Sequence, residues 1–197
     1  MDLGIAGKRA AVAAASKGLG LGVAEALAAE GARVAICGRD RTTIEAAAQR
    51  VGSGAVGIVA DVSTVEGAAG FVRDARARLG GIDILVPNAG GPPAGDFAHT
   101  TVDQYLAAFE LNCRGAIAMC YEAVPAMRAQ RWGRVVAITS IAVRHSDRPS
   151  VKAAFSSSRS TEAMAADAVR TRSGSAMTAA AMAAAYHVKA TLKPVAS

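Results

Sequence analysis

Val12-Ala13-Ala14-Ala15-Ser16-Lys17-Gly18-Leu19-Gly20-Leu21-Gly22 joins an apolar run to an Ala-rich helical pattern through a glycine-rich turn. Glycines at such a point let the backbone approach a ligand closely, and the helix N-terminus behind them offers unpaired N–H groups to an anion. Three glycines alone also fit an ordinary turn that serves helix–sheet packing. Context separates the two readings. The turn follows a strand-like run at 9–13, opens a helical pattern over 18–30, and sits in the first of several strand–helix steps, which is where a dinucleotide's phosphates are held.

Further strands are predicted at 33–37, 55–60, 82–86 and 133–140, and further helices at 41–51, 64–79 and 102–130. A local kink is expected at Pro125. Near-continuous apolar strands that alternate with helices argue for a parallel sheet covered on both faces. The expected fold is therefore α/β: a Rossmann-type doubly wound parallel sheet in three αβα layers.

The composition changes near residue 145. Residues 1–140 hold 14 Lys and Arg against 13 Asp and Glu, whereas 141–197 hold 8 against 3. Of 20 glycines, only Gly174 lies beyond residue 140, and the tail is rich in Ala, Ser and Thr. Two units are expected: a dinucleotide-binding domain over 1–144, and a C-terminal tail over 145–197 that is helical or disordered and forms no domain of its own. The basic residues of the tail are scattered without aromatic interleaving, so nucleic acid is not an expected partner. No apolar run reaches 18 residues, which predicts no membrane span. The N-terminus lacks the basic region of a signal peptide. Cys37, Cys113 and Cys120 are odd in number and lack metal-ligand spacing, as expected of reduced thiols in a cytoplasmic protein. His99, His145 and His187 are dispersed, and no metal site is expected.

The end of the second strand commonly reads the adenosine ribose, with an acid for NAD or a basic residue for the 2′-phosphate of NADP. Here that strand ends in Cys37-Gly38-Arg39-Asp40. Arg39 follows the strand directly and Lys17 lies in the glycine-rich turn. Two converging cations suit a doubly charged phosphate, although both also fit solvated surface positions. Asp40 is open to two readings, a partner for Arg39 or a helix N-cap.

These residues together resemble the short-chain dehydrogenase/reductase family, and within it reductases of the 3-oxoacyl-carrier-protein type. The family's Thr-Gly-x-x-x-Gly-x-Gly turn aligns with Ala13-Ala14-Ala15-Ser16-Lys17-Gly18-Leu19-Gly20, with alanine at the first two positions. Asp61-Val62 resembles the adenine-contacting Asp. Asn88-Ala89-Gly90 resembles the Asn-Asn-Ala-Gly motif, with Pro87 in place of its first Asn. Asn112 falls at the family's helix-embedded catalytic Asn and Ser140 at its catalytic Ser. The resemblance implies NADP(H) as cofactor, held by Ser16, Lys17, Gly18, Leu19, Gly20, Arg39, Asp61, Val62, Asn88, Ala89 and Gly90. It further implies hydride transfer to or from a small carbonyl, alcohol or 3-oxoacyl substrate, and a homo-oligomer formed through 102–130.

Carbonyl reduction also needs an acid for the developing alkoxide. By the resemblance this is a Tyr, with a Lys four residues later that lowers its pKa. Tyr105 is followed at that spacing by Phe109, Tyr121 by Pro125 and Tyr186 by Ala190, so no Tyr-x-x-x-Lys occurs. The strands that follow the family's fifth have no visible counterpart in 145–197, and the expectation is a sheet truncated after strand five. Two readings stay open: an oxidoreductase, and a dinucleotide-binding protein or truncated product without turnover.

Overall fold

The computed structural model describes residues 3–91 and 100–138. Five strands, β1 (Arg9–Val12), β2 (Arg33–Gly38), β3 (Val56–Val59), β4 (Ile84–Val86) and β5 (Arg134–Val135), form one sheet. They run in the order β3-β2-β1-β4-β5 and every pairing is parallel. The helices are α1 (Gly18–Ala29), α2 (Arg41–Val51), α3 (Val65–Leu79), α4 (Val102–Phe109) and α5 (Gly115–Ala129). The doubly wound architecture is the one expected from the sequence. Strand five was expected over 133–140. It pairs formally at 134–135, and its ladder continues as Val136 N–H donates to Leu85 O and Ile138 N–H to Pro87 O. Residues 139–140 and the tail 145–197 lie outside the described residues.

Side chains on a strand alternate between faces, and here both faces are covered. Ala11, Ala13, Ala35, Cys37 and Leu85 pack toward Phe71, Val72 and Leu79 of α3 and Met119 and Met127 of α5. Ala10, Val12, Val34, Ile36, Ile84 and Val86 pack on the opposite side with Leu21 and Leu27 of α1 and Ile44 of α2. The central strand carries Ala10 and Ala11 at its middle, so much of the bulk that fills each layer there comes from the helices.

Helix starts are set locally. Asp40 accepts from Thr43 N–H at 2.8 Å, Thr64 accepts from Gly67 N–H at 3.0 Å, and Thr101 forms a reciprocal capping box with Gln104. At the N-terminal ends of the strands, Asp83 is 5% exposed and meets Arg9 in a two-pronged ion pair of 2.7 and 2.8 Å. Gln130 donates to the same carboxylate at 3.0 Å. The Arg9 guanidinium holds the Asp83 carboxyl below the usual carboxylate range. Beside it, Trp132 lies between the Lys8 ammonium, 4.2 Å from its ring centroid, and the Arg134 guanidinium at 5.1 Å.

Pro125 lies within α5 and does not end it. The stretch expected as one helix also holds a π turn over Glu110–Arg114, between α4 and α5.

Candidate functional site

The chain leaves β1 outward through β2 and β3, then returns to β4 and β5 on the other side. Open α/β sheets bind ligands in the crevice at such a reversal, beyond the C-terminal ends of the strands. The glycine-rich turn lies there. Ala13 N–H donates to Val86 O of β4 at 3.0 Å and Ala15 N–H to Cys37 O of β2 at 2.9 Å. Asn88, just past β4, donates through Nδ2 to both Ala13 O and Ala14 O at 3.1 Å. The turn is thereby tied to both neighbouring strands.

A Cβ on Gly20 would lie 2.7 Å from Asn88 Nδ2 and 2.8 Å from Ala14 O, so no larger residue fits beneath the turn. Gly18 has φ +62°, the left-handed region where glycine carries no steric penalty. Ala14, where the family pattern has glycine, is also left-handed at φ +46°. The alanine accommodates the turn by accepting that strain rather than by changing its shape.

α1 differs from α2, α3 and α4 at its start: no side chain among the described residues caps it. Its leading N–H groups therefore face the crevice with the positive end of the helix dipole. Lys17 and Gly18 are exposed, while Ser16 and Leu19 are half-buried. These features fit an anionic group against the turn.

Arg39 is exposed at the tip of β2. Asp61, at the end of β3, is held below the usual carboxylate range chiefly by the Ser63 backbone N–H at 3.0 Å, with the Arg39 charge contributing. The open question over Asp40 is answered: it caps α2 through Thr43. Val62 is buried behind Asp61. Cys37 is fully buried under the turn, accepts from Ala14 N–H at 3.4 Å, and its thiol is pushed up to about 12 by burial.

Asn88 and Ala89 are half-buried and Gly90 is exposed. Asn112 lies inside the π turn, and its Nδ2 donates to Ala108 O, four residues back, at 2.9 Å. Arg114 pairs with Glu110 across the same turn. Such single π turns inside helices occur often at functional sites. Ser140 lies outside the described residues. Ile138, two residues before it, is bonded at 3.1 Å to Pro87, next to Asn88.

Reading the sequence missed three features: the strain at Ala14, the π turn around Asn112, and the Arg9–Asp83–Gln130 network. Only the first had a signal, an alanine where the resembled motif has glycine.

A family model described as short chain dehydrogenase matches residues 8–188, and so crosses the compositional boundary at 144. The L-fucose dehydrogenase of Oryctolagus cuniculus is 35% identical over 69% of this chain and 48% of that protein. The structure of L-sorbose reductase from Gluconobacter frateurii, complexed with NADPH and L-sorbose, matches with a TM-score of 0.68 and 34% identity, over 73% of this chain and 57% of that one. A 3-oxoacyl (acyl-carrier-protein) reductase from Agrobacterium tumefaciens C58 with NADP bound matches with a TM-score of 0.65 and 31% identity, over 70% of this chain and 54% of that one. The chain spans about half the length of these relatives.

Proposed function

The chain belongs to the short chain dehydrogenase family, and from that premise we propose that it binds NADP(H) in the crevice between β1 and β4 and carries the cofactor half of a carbonyl–alcohol oxidoreductase. The observation that carries this reading is the start of α1. It is the one helix of α1 to α4 with no side-chain cap, and it lies behind a turn too tight at Gly20 for any Cβ. A phosphate there satisfies N–H groups that no side chain among the described residues caps.

Ser16, Lys17, Gly18, Leu19 and Gly20 would hold the pyrophosphate. Arg39 favours a 2′-phosphate, since Asp40 is engaged as a cap and no acid ends β2. Asp61 and Val62 would face the adenine, and Asn88, Ala89 and Gly90 would line the path from the adenosine half toward the nicotinamide. When bound, the cofactor supplies or accepts a hydride. The chain's part is to orient it and to manage the proton. Asn112 and Ser140 are the candidates on the reaction side, Ser140 for holding a carbonyl oxygen and Asn112 for positioning a water. A small carbonyl or 3-oxoacyl compound is the proposed substrate class.

A second reading, binding without turnover, is favoured by one specific observation: no Tyr-x-x-x-Lys occurs in the 197 residues. A proton donor matched to the alkoxide is worth on the order of 10²–10⁴ in rate. Reduction of activated ketones by this chain is therefore expected at background.

A homo-oligomer through α4 and α5 is also proposed. Val102, Tyr105, Leu106 and Phe109 form one exposed stripe at helical spacing, and Tyr121 of α5 is 78% exposed. Among the described residues no helix is long and apolar enough to cross a membrane, and Cys37, Cys113 and Cys120 are free thiols. Both support a cytoplasmic setting.

The test is a thermal-shift titration. NADPH should raise Tm more than NADH does, and Arg39→Asp should narrow or reverse the difference. Equal shifts by the two cofactors would overturn the NADP(H) assignment. Ketone turnover well above background, abolished by Ser140→Ala, would overturn the reading without turnover.

A further inference from the structure

The Asp61–Val62 loop is held from two sides by the first turns of two helices. At α3, a Cβ on Gly67 would collide with Asp61 O. At α5, a Cβ on Gly115 would lie 2.7 Å from Val62 O and 3.8 Å from the Ala68 Cβ. Gly115 has φ −60° and ψ −44°, an ordinary helical backbone, so no special conformation calls for glycine. Alanine is the better helix former at such a place. What excludes it is space.

Gly115 also closes the π turn. Its N–H donates to Glu110 O, five residues back. Asn112 lies three residues before it, with its side chain bonded into the same turn through Ala108 O. One residue thus bears on the loop that carries Asp61 and completes the turn that carries Asn112. No side chain intervenes between Gly115 and the Val62 carbonyl, and a close-packed backbone contact has little room to absorb displacement.

We propose that Gly115 is a positioning residue that fixes Asn112 relative to the Asp61–Val62 loop, so that the adenine end and the reaction end of the crevice shift together. This rests on the NADP(H) reading for its ligand, but the mechanical link belongs to the chain alone. An added methyl at 115 must push α5 off Val62 O, and the π turn moves with α5.

The experiment is amide NMR of the Asn112 side chain and the Asp61 and Val62 backbone. It compares the chain with Gly115→Ala, and with Gly70→Ala as control. Gly70 lies within α3, where a Cβ meets only the Arg73 guanidinium at 3.8 Å. Without nucleotide, Gly115→Ala should displace both the Asn112 side-chain and the Val62 resonances, and Gly70→Ala should leave both in place. The probe 2′,5′-ADP, which carries no nicotinamide, should shift the Asn112 side-chain signals of the unaltered chain. Its Kd should rise about fivefold or more in Gly115→Ala, the lower end of ordinary coupling between sites. Asn112 signals that stay fixed, in the variant and on probe binding, would overturn the proposal. If Gly115→Ala does not fold, the probe titration of the unaltered chain decides alone. If the probe does not bind at all, the NADP(H) reading fails, and the nucleotide-free comparison still decides the link.

Discussion

Ala14 takes a left-handed backbone that alanine ordinarily avoids, at a cost of about 1–2 kcal/mol. It persists because Asn88 Nδ2 binds its carbonyl and Cys37 Sγ receives its N–H. Ala14→Gly removes the strain but adds freedom to the unfolded chain, about 0.4–1 kcal/mol in the other direction. The expected result is a change between zero and a gain of about 1.5 kcal/mol in urea denaturation. Ala14→Val puts a β-branched side chain where φ is positive and should cost about 2 kcal/mol or more. The signal for the strain was the alanine standing where the resembled motif has glycine, since alanine by itself carries no mark of a positive φ. Cys37 was legible as a buried strand residue for the opposite reason: its neighbours Val34, Ala35 and Ile36 form a continuous apolar run.

Helices α1, α2 and α3 and their strands were legible because each must bury apolar surface at a fixed period, and turn or cap residues close each segment. The boundary of α2 settled a functional question as well. Asp40 is committed to Thr43, so Asp40→Ala should lower Tm by a few degrees. It should leave the NADPH-over-NADH preference in thermal shift as it was. Loss of that preference would return Asp40 to the reading in which it partners Arg39. The π turn in the 102–130 stretch was not legible, since Glu110-Leu111-Asn112-Cys113-Arg114 reads as ordinary helix. At its end Gly115 is seated against Val62 O, a tertiary contact that no local pattern in the sequence marks. A missing N–H such as that of Pro125 is visible in sequence, and a close backbone approach is not.

The sheet as a whole is closed at its N-terminal edge by Arg9 and Asp83, partners 74 positions apart. No local pattern reveals a pairing of that range, whereas the strand order follows from the alternation of strands and helices. Because the Asp83 carboxyl is depressed by the Arg9 guanidinium, the sign of its pH effect is fixed. Its contribution is fully present above the unfolded carboxylate pKa of about 4 and is lost as pH falls through the folded value. Asp83→Asn should destabilise by about 2 kcal/mol at pH 7, less than a wholly buried pair, since the Arg9 side chain is 25% exposed. The difference from the unaltered chain should shrink below pH 4 in denaturant titrations. An unchanged gap at pH 3 would mean that the network does not depend on the charge. The site was legible to the extent that it is built from turns and strand tips. Ser140, on which the reaction side depends, lies outside the described residues.

Trp132 is the single tryptophan of the chain, and it is held between two cations at the end of the sheet away from the glycine-rich turn. Its emission is therefore an optical gauge with one origin. It reports whether the last strand is seated on its neighbour when no reduced nicotinamide is present to absorb it. Sheet assembly can then be followed from indole in the nucleotide-free chain, and the quenching of that emission on adding reduced nicotinamide reads nucleotide occupancy in turn.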